Sequence, residues 1–319
     1  MASTTRRAAS SATEILAVAR AHYLEELSKV EIADRFGLSR FQVARMLEIA
    51  KQRGYVRIQV GDPDPVDDEL GEELAEALGV SRAIVVGSSP ASGATSTKDA
   101  VAAALASTLA ELVRPGMSVG FAWSWVLELL PRHLTRLEPC DVVQLTGEIS
   151  NSGNRLDLVK VIHRVAVSAE GSAFPMYAPL IADSAESAEI FSRQPDIADC
   201  LRRAAGVDLA VFPIGAWDPE GSLLCSMLPT EEVARVGRSG GCGEVAGHAF
   251  DASGRPPAEN VSDRIIGITA EQLRRVPTRI GTSYGPHRAK ATIGAAAAGL
   301  LSTVIVDDAL ARTALQQLD

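Results

Sequence analysis

From Ala83 to the end of the chain, short apolar runs alternate with amphipathic stretches, and this alternation restricts the possible fold severely. Ala83–Val86, Ser118–Phe121, Asp141–Leu145, Leu209–Ile214, Ile265–Ile268, Thr278–Gly281 and Thr303–Val306 have the length and apolar content of buried strands. Between them Lys98–Leu112, Trp125–Leu137, Leu156–Val165, Ser187–Ser192, Ile197–Ala205 and Lys290–Leu301 carry helical patterns. A last helix is expected from Ala309, and an extended stretch between Val165 and Ala173. Strands separated by helices predict an α/β fold with an open, largely parallel, Rossmann-like sheet. Ligands of such sheets bind beyond the carboxyl ends of the strands, so the loops after each strand are the candidate site.

Several of those loops suit a small anionic or polyhydroxylated ligand. After Phe121 the chain reads AWSWVLELL, placing Ser124 at a helix N-terminus, where anions are favoured. Asp141–Leu145 runs into Thr146, Gly147 and Glu148, and Gln144 offers both a donor and an acceptor to a hydroxyl. Gly240–Gly247 (GGCGEVAG) is glycine-rich, with Glu244 as its only charge. In GTSYGPHRAK, the residues Ser283, Gly285, His287 and Lys290 are placed to surround a phosphate. Each loop taken alone is equally well a simple turn. Their shared edge of the sheet is what joins them.

The amino-terminal part follows another pattern. Lys29–Glu48 (KVEIADRFGLSRFQVARMLE) reads as a helix-turn-helix. Ile32, Ala33 and Phe36 form the apolar face of its first helix. Gly37 turns the chain and Leu38 plugs the junction. Ser39 caps the second helix, with Gln42 completing a capping box. Val43, Met46 and Leu47 face inward, leaving Arg40, Phe41, Ala44, Arg45 and Glu48 outward. Arg40 and Arg45 are the candidate base readers, since arginine pairs bidentately with guanine. Lys29 and Ser39 are the candidate phosphate contacts, with Gln42 beside them. A preceding helix, Ala12–Leu27, is expected to carry Ile15, Leu16, Ala19 and Tyr23 on one face. Tyr55–Val60 alternates like a strand and would make a wing.

Charge separates the two parts. Residues 1–60 hold ten Lys or Arg against six acids, a balance of +4, while the remainder holds 21 against 34, or −13, for the total of −9. A basic module on an acidic body suits a protein with one nucleic-acid face. The domains are therefore read as 1–60 for DNA binding, 61–80 for a linker helix after the Asp-Pro pairs, and 81–319 for effector binding and oligomerisation.

Composition excludes other classes. Aromatic content of 4% argues against stacking on single strands. Ala291–Val306 is too short to span a membrane and is broken by Gly294 and Gly299. MASTTRRAASSATE lacks the apolar run of a signal peptide and reads as a mobile arm near DNA. Cys140, Cys200, Cys225 and Cys242 are widely spaced, without metal-ligand pairing. They read as reduced thiols of a cytoplasmic protein. No metal or cofactor is expected.

The chain resembles the SorC family of bacterial transcriptional regulators. The matching pieces are IADRFGLSRFQVARML, GMSVGFAW, VVQLTGE, YAPL, QPDIADCLRRAAGVDLAVFPIGAW, GEVAGHAFDASGRPP, RIIGITAEQLRRVPTRIG and AKATIGAAAAGLLSTVIVDDALA. They span nearly all of residues 14–315 in order. The resemblance implies a helix-turn-helix head and an effector domain shaped like glucosamine-6-phosphate deaminase and ribose-5-phosphate isomerase. It implies tetramers on an inverted repeat of operator DNA, with a sugar, polyol or sugar phosphate as effector. It also places Gln144, Glu244 and Lys290 at effector-contacting positions.

Two departures stand out. Ala122-Trp123-Ser124-Trp125 replaces a loop that is usually rich in glycine, serine or threonine. Ser283-Tyr284-Gly285-Pro286-His287 stands where the family usually has two glycines. The added Trp123, Trp125, Tyr284 and His287 would narrow the pocket and supply faces for stacking on a sugar ring, which implies a smaller or differently phosphorylated polyol or sugar; alternatively Trp123 and Trp125 belong to the core. The rival reading is an enzyme of the isomerase or deaminase type, drawing on Asp208, Glu244, His248, His287 and Lys290 as acid–base groups.

Overall fold

In the computed structural model, which describes residues 12–25, 27–52, 55–56, 66–87, 97–134, 136–149 and 158–318, the chain divides into two units, Met1–Gly61 and Asp62–Asp319.

The first unit packs three helices, α1 (Ala12–Tyr23), α2 (Lys29–Phe36) and α3 (Arg40–Gln52). Its core joins Ile15, Val18 and Ala19 with Ile32, Ala33, Val43, Met46 and Leu47. The inward face of α1 is Ile15, Val18 and Ala19, at the i, i+3, i+4 spacing of one helix face. Leu16, expected on that face, lies one position round and is 40% exposed. Phe36, expected inside, is 38% exposed at the last position of α2, while Leu38 is partly buried beyond the turn.

Helices of this length are marginal alone, and both ends of the turn are capped. Ser28 and Glu31 form a capping box that starts α2. Gly37 closes α2 in the left-handed region at φ 64°, which favours a residue without a side chain. Ser39 Oγ accepts from Gln42 N at 3.3 Å, and Gln42 Oε1 accepts from Ser39 N at 2.8 Å. Of the expected wing, Tyr55 and Val56 are not in a strand. The rest of the wing, like most of the N-terminal arm, lies outside the described residues.

The second unit runs α4 (Asp68–Leu78), β1 (Arg82–Val86), α5 (Thr97–Leu112), β2 (Ser118–Phe121), α6 (Trp125–His133), β3 (Asp141–Gln144), α7 (Leu158–Ser168) and β4 (Ala173–Phe174). It continues with α8 (Ala185–Ser192), α9 (Pro195–Ala205), β5 (Leu209–Pro213), β6 (Gly215–Ala216), α10 (Leu223–Met227), α11 (Thr230–Arg238), β7 (Gly243–Val245) and β8 (His248–Phe250). Last come α12 (Ala270–Arg275), β9 (Thr278–Thr282), α13 (Ala289–Ala297), β10 (Thr303–Asp307) and α14 (Asp308–Leu318). Seven strands form one sheet in the order β1-β10-β9-β5-β2-β3-β4, every neighbouring pair parallel. A small antiparallel sheet, β6-β7-β8, stands apart.

Alternation along each strand divides the core into two layers. Val119, Phe121, Val142, Leu209, Val211 and Ile305 face α5, α6 and α7. Their neighbours Val143, Ala210, Phe212, Val304 and Val306 face α4, α9, α13 and α14. Side chains pointing alternately up and down explain why these runs are apolar at every position, as a sheet covered on both faces requires. Helix α4, in the region read as a linker, buries Leu70 and Leu74 in the second layer.

Several boundaries differ from expectation. Helix α7 continues to Ser168, where an extended stretch was expected. Helix α6 stops at His133, two residues beyond Pro131, with Leu134 already extended. Helix α13 stops at Ala297, ahead of Gly299 at φ 68°. Ile265–Ile268 is not a strand. Its backbone bonds to two different segments, Ile266 N to Leu180 O and Ile268 N to Leu145 O, so no ladder with one partner develops.

Candidate functional site

The strand order reverses direction between β5 and β2. From β2 the chain adds β3 and β4 on one side, and from β5 it adds β9 and β10 on the other. At such a switch point the loops diverge and leave a crevice at the carboxyl ends of the strands. A cavity of about 320 Å³ lies there, lined by Trp123 and Ser124 after β2, Thr146 after β3, Ile214 after β5 and Ser283 after β9. The segment from Pro219 to Ser226 and the β7–β8 turn complete its wall.

Glu244, on β7, is the buried charge of this wall. Its Oε1 accepts from Ser222 Oγ at 2.8 Å and its Oε2 from Gly247 N at 3.1 Å. Gly247 N points there because Ala246 and Gly247 both adopt positive φ, 51° and 88°, as a tight hairpin turn demands. Burial pushes the Glu244 pKa up, opposed by those two hydrogen bonds. Ser124 caps α6, its Oγ accepting from Leu127 N at 3.0 Å. Trp123 and Trp125 meet edge to face with centroids 5.1 Å apart. Trp123 both lines the cavity and packs in the core, so the two readings of this residue are compatible. On the opposite side Arg288 lies over the Tyr284 ring at 4.9 Å and donates through Nη1 to Tyr284 O at 2.7 Å.

Of the effector residues expected from the sequence, Trp123, Ser124, Thr146, Glu244 and Ser283 come together around the cavity. Gln144, Gly147, Gly285, His287 and Lys290 are not among its lining residues. Gln144 is fully buried and ties β3 to the chain after β4, donating to Thr146 O and Glu148 Oε1 and accepting from Met176 N at 3.0 Å. Gly147 is a close-approach position, where a Cβ would stand 2.2 Å from Pro179 O. Gly285, at φ 85°, gives its N–H to Asp307 Oδ1 at 2.8 Å. His287 and Lys290 are exposed. Tyr284, expected to narrow the pocket, lines the cavity, as do Ser222 and Arg288, which the sequence did not mark as site residues. Arg288 sat inside a quoted segment, whereas Ser222 lies in a stretch without periodicity and offered no signal.

Among the acid–base candidates of the rival reading, Glu244 alone lines the cavity. Asp208 lies at the amino end of β5, accepting from Ser118 N at 2.8 Å and Ser118 Oγ at 3.0 Å. That is the opposite edge of the sheet. The His248 ring is hydrogen-bonded to Ile268 O at 2.8 Å, and burial holds its pKa below the usual range.

In the first unit Lys29, Ser39, Arg40, Phe41, Gln42, Arg45 and Glu48 are exposed, and Ala44 is half-buried. Phe41 is 89% exposed at the second position of α3. The Gln42 side chain is engaged in the Ser39 cap.

A helix-turn-helix unit followed by a parallel α/β unit with a switch-point cavity defines the class of ligand-responsive transcriptional regulators. Residues 66–316 match the family model described as Putative sugar-binding domain, and the chain belongs to that family. It is 28% identical over 304 residues to the deoxyribonucleoside regulator of Bacillus subtilis (strain 168), covering 94% of this chain and 96% of that one. It is likewise 28% identical over 304 residues to the transcriptional regulator LsrR of Klebsiella pneumoniae subsp. pneumoniae, covering 93% and 91%. The crystal structure of the full-length sorbitol operon regulator SorC from Klebsiella pneumoniae superposes with a TM-score of 0.70 at 19% identity, over 96% and 98% of the chains. The fold is thus the one expected from the SorC resemblance, and the chain is a transcriptional regulator with a sugar-binding domain rather than an enzyme. No helix among the described residues is long and apolar enough to cross a membrane.

Proposed function

We propose that the protein controls a carbohydrate or polyol catabolic operon, with its operator affinity set by a sugar, polyol or sugar phosphate in the switch-point cavity. The observation that carries this reading is the pairing, in one chain, of an exposed helix-turn-helix surface with a walled cavity in which a buried acid, Glu244, is hydrogen-bonded in place. Arg40 and Arg45 read base edges in the major groove, and Lys29 fixes the register on phosphates. One head has too small a contact for specific binding, so the operator is an inverted repeat bound by an oligomer. Effector binding favours one arrangement of the oligomer over another, and operator affinity changes by the difference in effector affinity between the two.

The test is footprinting of the DNA upstream of the protein's own gene, with titration of sugars, polyols and their phosphates. A protected inverted repeat whose midpoint moves with one of these compounds supports the reading. Absence of protection at low ionic strength refutes it.

A further inference from the structure

Phe41 is a large apolar side chain left in water, 89% exposed at the second position of α3. Val43, Met46, Leu47 and Ala50 take the inward face of that helix. At 3.6 residues per turn, Phe41 and Arg45 each lie about 160° round the axis from Val43, one on either side. Both therefore project away from the core, one turn apart on the same stripe. Among the described residues of α3, Phe41 is the one exposed large hydrophobic side chain. Its neighbours on this surface, Arg40, Gln42, Arg45 and Glu48, are exposed and polar.

That setting selects the occupant. A face built for a protein partner surrounds its aromatic anchor with a well-packed, desolvated patch. Here a lone ring stands among charged and amide side chains, on a unit whose residues 1–60 balance to +4. Such a surface suits a polyanion. Phenylalanine has neither donor nor charge, so it gains nothing from a phosphate. On the major-groove edges of the base pairs, the apolar group on offer is the C5 methyl of thymine. The first turn of a recognition helix is the part that reaches those edges, and Phe41 lies in it. Gln42, which could otherwise read adenine bidentately, has its Oε1 on Ser39 N at 2.8 Å.

We infer that Phe41 is a specificity-determining residue that reads thymine by packing its ring on the C5 methyl. This rests on the proposed reading of the first unit as a DNA-binding head, and it adds a base to the one read by Arg45. The step from Phe41 to Arg45 rises about 6 Å along the helix, close to two base-pair steps of ~3.4 Å each. The thymine therefore stands within about two base pairs of the guanine that Arg45 contacts, in each half-site.

The experiment takes the full-length protein through selection from a random duplex library. The selected duplex is then compared with copies in which each thymine in turn is replaced by uracil. Uracil pairs as thymine does and lacks only the methyl, so the exchange removes the contact and leaves every hydrogen-bonding group in place. At one thymine of the half-site the wild type is expected to lose about fourfold in affinity, the worth of one buried methyl-sized group. In Phe41→Ala the thymine and uracil duplexes should bind alike, whereas Arg45→Ala, weaker overall, should keep the ratio. Phe41→Leu, which retains an apolar side chain, should keep part of it. Alanine is a better helix former than phenylalanine at this exposed position, so circular dichroism should show no loss on melting. Wild-type indifference to uracil at every position, or a ratio that persists in Phe41→Ala, overturns the inference while the regulator reading stands. A changed oligomeric state in Phe41→Ala with the ratio intact, read by sedimentation, assigns the ring to a protein contact and overturns it likewise. A wild type that selects no sequence overturns both.

Discussion

Ser222 and Glu244, 22 positions apart in the chain, share a hydrogen bond of 2.8 Å in the cavity wall. Ser222 also caps α10, its Oγ accepting from Cys225 N at 3.4 Å. One hydroxyl therefore holds a buried acid and starts a helix. Ser222→Ala should cost about 1–3 kcal/mol, since it leaves a buried acceptor short of a donor and removes a cap. Urea denaturation checks this, and a loss below about 0.5 kcal/mol would show that neither role matters.

Glu244 also makes stability depend on pH. Burial raises its pKa above the ordinary 4.5, so above that pH the native state keeps a proton that the unfolded state has released. Stability contributed by this group is present below pH 4.5 and falls as pH rises through the folded-state pKa. Glu244→Gln should remove that slope. Parallel stability profiles for the two proteins from acid to neutral pH would count against it.

At Gly37 the constraint is conformational. The residue sits at φ 64°, and a Cβ there would meet nothing within 4 Å. Gly37→Ala should therefore destabilise the first unit by about 1 kcal/mol through backbone strain alone. Gly37→Asn should cost less, because asparagine tolerates the left-handed region. Equal losses in the two variants, read by helical circular dichroism on melting, would point to a steric cause instead.

Arg45→Ala should lower affinity for the operator by about 1–3 kcal/mol and relax its base preference. Lys29→Ala should weaken binding to all sequences alike and reduce its salt dependence. Gel shifts on specific and scrambled DNA separate the two, and an unchanged specificity ratio in the Arg45 variant would remove it from the reading set.

Thiol titration offers a further check. Burial pushes the Cys140 and Cys200 thiols up to about 11 and Cys225 to about 12. At pH 8 roughly one in a thousand or fewer of these thiols is ionised, and all three are buried. The native protein should leave them unmodified by a disulfide reagent, with half-buried Cys242 reacting first, and guanidinium should expose all four. Rapid native modification of Cys200 would show that α9 opens.

Periodicity made the large sheet legible. Val142 and Val143, or Ala210 and Val211, are both apolar because each serves a different covered face. The helix-turn-helix was legible for a related reason: Ser39, Gln42 and Gly37 act within a few residues of themselves. The Ser28–Glu31 capping box follows the same local logic. Ile265–Ile268 misled because strand propensity says nothing of whether a single partner is available.

The candidate site divides along the same line. Trp123, Ser124, Thr146 and Ser283 follow strands directly, so strand direction alone carries them to the switch point. Gln144 and Lys290 have suitable chemistry, but Gln144 is folded into the sheet's own hydrogen bonds and Lys290 faces outward.

The sequence by itself determined the alternation of strands and helices, the parallel direction of the strands and the cap of α3, and it pointed to one edge of the sheet as the candidate site. All of these depend on residues near one another in the chain. Only the tertiary structure decided that Ser222 meets Glu244 and that Arg288 turns to carbonyls. Those outcomes depend on which distant segments meet, and packing at long range leaves no periodic mark in the sequence.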